Sequence, residues 1–82
     1  SCMSLSVGEA LRAARSQAGL TLRQAAGRLK ADEATLSRYE RGKVEPPLEI
    51  IAAATREYRS PLPMLAYLER ALRVFREFAG AA

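Results

Sequence analysis

The chain has 82 residues, of which 49% are apolar and 27% charged, and its formal net charge is +4 at pH 7. A chain of this length cannot divide its apolar side chains between two cores, so one domain is expected. There is no histidine and Cys2 is the single cysteine, which leaves no residues for a His or Cys metal site or for a nucleophile with its base. We therefore expect no enzyme, no metal and no cofactor.

The sequence predicts a cytoplasmic location. No apolar run approaches the roughly 20 residues that span a bilayer, and the first residues lack the charged and apolar regions of a signal peptide. A membrane partner is therefore not expected. Ser1 and Cys2 precede a methionine that fits a natural start, and no role is expected for these two residues. Residues 1–5 are expected to form an N-terminal tail.

The positive charge is concentrated in one half of the chain. Residues 9–43 hold eight Arg or Lys against four acidic residues, whereas residues 44–82 hold five of each. A basic half on a small domain favours a polyanionic partner, although a solvated basic face without a partner is the alternative.

Capping motifs divide the first half of the chain into three helices. Ser6 and Glu9 form a capping box for a first helix that runs to about residue 18 and ends at Gly19. Its inward face is predicted to be Val7, Ala10, Leu11 and Ala14. A second box at Thr21 and Gln24 opens a helix over 22–29, and Asp32 caps a third over 33–41.

Prolines start the two remaining helices. Pro46 and Pro47 precede a fourth helix carrying Leu48, Ile51 and Ala54, and Pro61 starts a long fifth helix over 61–78. No segment shows the two-residue alternation of strands. The predicted fold is all-α, a five-helix domain over 6–79 with a long C-terminal helix.

The second and third helices are short and lie three residues apart. Small residues at 25–27 and Leu36 allow their axes to approach closely, as in a helix-turn-helix. An ordinary three-helix packing unit would show the same spacing, so spacing alone leaves both interpretations open.

A longer pattern favours the first interpretation. It comprises Leu11-Arg12-x-x-Arg15-x-x-x-Gly19-Leu20-Thr21, then Gln24-Ala25-Ala26, then Thr35-Leu36-Ser37-Arg38-Tyr39-Glu40-Arg41-Gly42-Lys43 followed by prolines. This pattern resembles the lambda-repressor/Cro family of helix-turn-helix domains, also called the xenobiotic-response-element family, over residues 7 to about 68. The resemblance implies a five-helix DNA-binding fold in which the third helix is the recognition helix.

By position in that family, the residues expected to face bases are Glu33, Ala34 and Arg38, with Thr35 and Ser37 near base edges or the backbone. The side chains suit this role, since an arginine fork fits guanine O6 and N7, a carboxylate accepts from a cytosine amino group, and a methyl contacts thymine. Alternatively, Arg38 meets phosphate only, and Glu33 serves the helix N-terminus.

The resemblance also implies phosphate contacts and one structural ion pair. Phosphate contacts are expected from Thr21, Arg23, Arg41 and Lys43, while a solvated surface role is the alternative for each. Arg15 and Glu40 match a partly buried pair that joins the first helix to the recognition helix; the alternative is that either residue is exposed.

Two positions depart from the family pattern. Leu22 stands where family members often carry a glutamine that clamps phosphate, so Thr21 or Arg23 must substitute. Lys30 stands where a turn glycine is common, and a lysine is strained there if the turn keeps its left-handed conformation.

The fifth helix carries more apolar residues than one small core needs. Leu65, Leu68, Leu72 and Phe75 recur at alternating spacings of three and four, and charged residues occupy the remaining face. This pattern predicts a homodimer interface; a long helix packed entirely on its own domain is the alternative.

The sequence therefore predicts a transcriptional regulator that binds double-stranded DNA sequence-specifically, as a dimeric repressor on a palindromic operator. No small-molecule ligand is evident. The alternative is a protein-interaction module, of the antitoxin or coactivator kind, that keeps the fold and binds a protein through its last helix.

Overall fold

The computed structural model describes residues 5–80 and contains five helices over that range: α1 (Val7–Gln17), α2 (Leu22–Leu29), α3 (Glu33–Glu40), α4 (Leu48–Glu57) and α5 (Leu62–Gly80). No strand occurs among these residues, and the all-α prediction is confirmed. The helix ends differ from the sequence expectation by one or two residues. Residues 1–4 of the expected tail lie outside the described residues, as do residues 81–82.

Side-chain caps fix where the first three helices begin. The Ser6 hydroxyl accepts from the Glu9 amide at 3.1 Å, and the Glu9 carboxylate accepts from the Ser6 amide at 2.9 Å. Thr21 and Gln24 repeat this exchange at α2, with the same two distances. Asp32 accepts from two amides of the first turn of α3. Each cap satisfies backbone donors that a helix start leaves unpaired.

The core draws on all five helices. α1 packs against α3 and α5, and α2 packs against α3 and α4. Leu11, Leu36 and Ile51 are fully buried at the centre. The predicted inward face of α1 is buried throughout. The remaining buried apolar residues of the described chain are mostly alanines, which let the short helices approach closely, together with Leu29 and Tyr58.

The turn between α2 and α3 is left-handed at Lys30, which has φ 55° and ψ 42°. The next amide, of Ala31, donates to the Ala26 carbonyl at 2.9 Å and closes the end of α2. The turn therefore keeps the shape that glycine usually provides, although a side chain is present. This conformation costs about 1 kcal/mol in a residue other than glycine.

Gly8 permits the closest approach of α1 to α3. A Cβ atom at this position would lie 2.6 Å from the carbonyl oxygen of Tyr39 and 2.7 Å from that of Glu40. Both oxygens belong to backbone at the end of α3 and cannot rotate away. The position of α3 against α1 therefore depends on the missing side chain at Gly8.

The second half of α5 extends beyond the domain body. Pro63 and Ala66 are buried against the other helices, whereas residues 71–80 are all exposed. The described chain is correspondingly elongated, measuring 45 × 24 × 19 Å. Within residues 5–80, none of the helices has the length and apolar character needed to cross a membrane.

The substitution Gly8→Ala is expected to lower the free energy of unfolding by about 1–3 kcal/mol, because the methyl group forces α1 away from α3. Gly27→Ala is the matched control, since nothing lies within 4 Å of its Cβ position and alanine favours a helix by about 0.5–1 kcal/mol. Urea unfolding of both variants measures the two effects. Stabilisation by both substitutions would contradict the close contact at Gly8.

Candidate nucleic-acid interface

The start of α3 presents the residues that were predicted to face bases. Glu33, Ala34 and Arg38 are exposed, while Thr35 and Ser37 are half-buried. Their spacing places 33, 34, 37 and 38 on one face of the helix. On the opposite side, Leu36 is fully buried in the core and holds α3 against the domain.

An open hollow of about 470 Å³ lies beside this face. It is lined by residues from the starts of α2 and α3, namely Leu22, Asp32, Glu33, Ala34 and Ser37. Leu22 therefore supplies an apolar side chain where the family pattern has a polar one. The Asp32 carboxylate at the rim is engaged in capping α3, so its charge is directed towards backbone amides.

The residues predicted to contact phosphate lie at the surface. Thr21 and Arg23 are at the start of α2, and Arg41 and Lys43 follow α3; all four are exposed. The Arg41 guanidinium donates from Nε to the Ser37 hydroxyl at 3.2 Å. The chain then folds back, since the amide of residue 43 donates to the carbonyl of residue 38 at 2.9 Å.

Arg15 and Glu40 form a bidentate ion pair between α1 and the end of α3. Arg15 Nε lies 2.7 Å from Oε2 of Glu40, and its second guanidinium nitrogen lies 3.0 Å from Oε1. A third donor reaches the carbonyl of Leu20 at 3.0 Å. The side chains are only 15% and 5% exposed. The hydrogen bond to Glu40 raises the pKa of Arg15.

Tyr58 lies near this ion pair, and the charges of both partners affect its pKa. It follows α4, is buried, and its hydroxyl has no hydrogen-bond partner among residues 5–80. Burial raises its pKa to about 12; the Glu40 carboxylate adds to the rise and Arg15 opposes it. Tyr58 is not among the site residues predicted from the sequence. Its position four residues after Ala54, on the inward side of α4, is the signal that could have found it.

A family model described as a helix-turn-helix domain matches residues 6–68. The chain belongs to this helix-turn-helix family. The match confirms the resemblance to a helix-turn-helix DNA-binding domain. The match ends at residue 68, before residues 71–80 of α5, which are all exposed.

One relative of the helix-turn-helix domain is a protein of Pyrobaculum aerophilum named "Putative HTH-type transcriptional regulatory protein". It is 54% identical over 43 residues, which are 52% of this chain and 17% of the relative. The chain thus spans less than a fifth of the length of that relative. No solved structure matches the chain.

Replacing Tyr58 by phenylalanine is expected to leave stability unchanged or raised at pH 7, because it removes a buried hydroxyl without a partner. The pKa of Tyr58 is about 12 in the folded chain and roughly 10 when unfolded. Ionisation of Tyr58 therefore has no effect on stability below pH 10 and lowers the stability of the folded chain progressively as the pH rises through 12.

Urea unfolding at several pH values between 8 and 12 tests this assignment. The native chain should lose more stability across pH 10–12 than Tyr58→Phe does. An identical decline in the native chain and Tyr58→Phe would contradict the assignment.

Proposed function

We propose that this domain binds double-stranded DNA sequence-specifically by placing α3 in the major groove. The observation that carries the proposal is the two-sided character of α3. Leu36 and Glu40 anchor it from within, while Glu33, Ala34 and Arg38 are exposed on its other side. A groove about 12 Å wide admits one α-helix, and a helix anchored on one side presents its other side in a fixed orientation.

The exposed side chains of α3 offer chemistry for base recognition. Arg38 would donate two hydrogen bonds to guanine O6 and N7, and Glu33 would accept one from a cytosine amino group. Ala34 would contact a thymine methyl. Thr35 and Ser37, which are half-buried, would contact base edges or the sugar-phosphate backbone.

Phosphate contacts would set the position of α3 along the groove. Thr21 and Arg23 lie at the start of α2, where the helix dipole favours an anion. The Arg41 and Lys43 side chains are exposed after α3. These contacts carry no sequence information and make binding sensitive to salt.

In this proposal the domain acts as a homodimer, and as a repressor that occupies a palindromic operator. The support is the uncovered apolar surface of α5, where Leu65, Leu68, Leu72 and Phe75 are 55%, 53%, 48% and 65% exposed. Two recognition helices about 34 Å apart would meet successive major grooves, and dimer formation would raise affinity. The relative's name supports regulation of transcription; the cytoplasmic location stays a prediction.

A protein-interaction module is the second candidate function, and the same uncovered surface of α5 favours it. A large exposed apolar surface marks an interaction site without revealing the partner. The two functions differ in their response to DNA. An interaction module would bind DNA weakly and without the steep salt dependence of phosphate contacts.

Selection from a randomised duplex pool, followed by salt titration of the selected site, tests the proposed function. We expect an enriched palindrome and binding that weakens steeply with salt. Arg38→Ala should cost about 1–3 kcal/mol of binding and relax the preference at one base position. Arg56→Ala removes the same charge from α4 and should leave the base preference intact. If no sequence is enriched and binding stays weak at low salt, the domain does not recognise DNA.

A further inference from the structure

The apolar stripe of α5, formed by Leu65, Leu68, Leu72 and Phe75, faces away from its own domain. Pro63 and Ala66 are the buried residues of this helix. At about 100° per residue, they lie on the side of α5 roughly opposite to the stripe. The stripe is uncovered because it faces away from the other four helices. Bending the end of α5 towards those helices would therefore not bury it.

The two edges of the stripe differ in chemistry. On one edge, the residues that directly follow Leu68 and Phe75 are charged, namely Glu69 and Arg76. The other edge is occupied by Met64, Ala71 and Phe78, which carry no charge. Phe78 is the most exposed large apolar side chain of the described residues, at 80%.

We propose that the stripe pairs with the same stripe of a second copy of this chain, with the two α5 helices antiparallel. In an antiparallel pair the charged edges meet each other and the uncharged edges meet each other. Glu69 then lies beside the partner subunit's Arg76, and Arg76 lies beside the partner subunit's Glu69. A parallel pair would instead set each charged edge against an uncharged one.

Twofold symmetry allows both ion pairs to form at once. Positions 69 and 76 are equally distant from the point between residues 72 and 73. A twofold axis through that point therefore places position 69 of each copy level with position 76 of the other copy. Leu72 then lies at the centre of the contact, and Phe78 of each copy lies near the first half of the opposite α5. The domain bodies remain on the outside, because the stripe faces away from them.

A hollow in the surface lies on the same edge of the stripe. It has a volume of about 330 Å³ and is lined by Leu5, Leu62, Leu65, Ala66 and Glu69. The Glu69 carboxylate already has an interaction within its own chain, and a carboxylate can accept from a second donor. An arginine suits this lining, because its aliphatic part packs on apolar surface while its guanidinium meets the carboxylate. The antiparallel pair brings the partner subunit's Arg76 to the side of α5 that carries Glu69.

This inference rests on the homodimer of the proposed function and does not depend on DNA binding. Sedimentation equilibrium of the 82-residue chain measures self-association directly. Glu69→Arg and Arg76→Glu each place two like-charged pairs in the dimer, so each should raise the dissociation constant about tenfold or more. Mixing the two variants restores both ion pairs, and a heterodimer of near-native affinity should form.

Glu77→Arg is the matched control, because it makes the same charge change on α5 away from the stripe; it should leave the dissociation constant within about twofold. Circular dichroism checks that each variant remains folded. Unchanged dimerisation of both charge variants, or no recovery on mixing, would overturn the antiparallel pairing. A native chain that stays monomeric at millimolar concentration would overturn the pairing and the homodimer, whereas the Arg38→Ala selection tests DNA recognition separately.

Discussion

The bidentate contact between Arg15 and Glu40 is the interaction on which the arrangement of the helices depends. It joins the end of α1 to the end of α3, and a third donor of the same guanidinium holds the turn before α2 through the carbonyl of Leu20. One side chain thus connects three elements. Both partners are largely removed from water, so loss of either would leave a poorly solvated charge in the domain.

Other features of the fold fit around this contact. Gly8 lets α1 approach the carbonyls that end α3, at the helix turn that carries Glu40. Tyr58 is buried near the pair, and its hydroxyl has no hydrogen-bond partner among residues 5–80. Glu33, Ala34 and Arg38, on the outward side of α3, take no part in these contacts and are exposed, as the proposed contact with DNA requires. α5 is similarly divided between a side that packs on the domain and a stripe that does not.

The five helices and the inward face of α1 could be predicted because capping boxes, prolines and apolar spacing are local signals. The left-handed turn at Lys30 follows the family pattern although the residue itself disfavours it. The roles of Gly8 and Tyr58 could not be predicted in the same way. They depend on which backbone and which charges lie opposite, and those are set by packing between distant segments. Leu48 lies on the fourth helix as predicted, but its side chain is 48% exposed, because packing between distant segments also decides which residues of a helix are covered.

A double-mutant cycle on Arg15→Ala and Glu40→Ala, followed by urea unfolding, tests the central claim most directly. We predict a coupling free energy of about 2 kcal/mol, since the pair is bidentate and largely buried. The same cycle on Arg70 and Glu45, which lie 2.9 Å apart but are 43% and 69% exposed, is the control and should give less than about 1 kcal/mol. A coupling at Arg15 and Glu40 no larger than at the exposed pair would contradict the account.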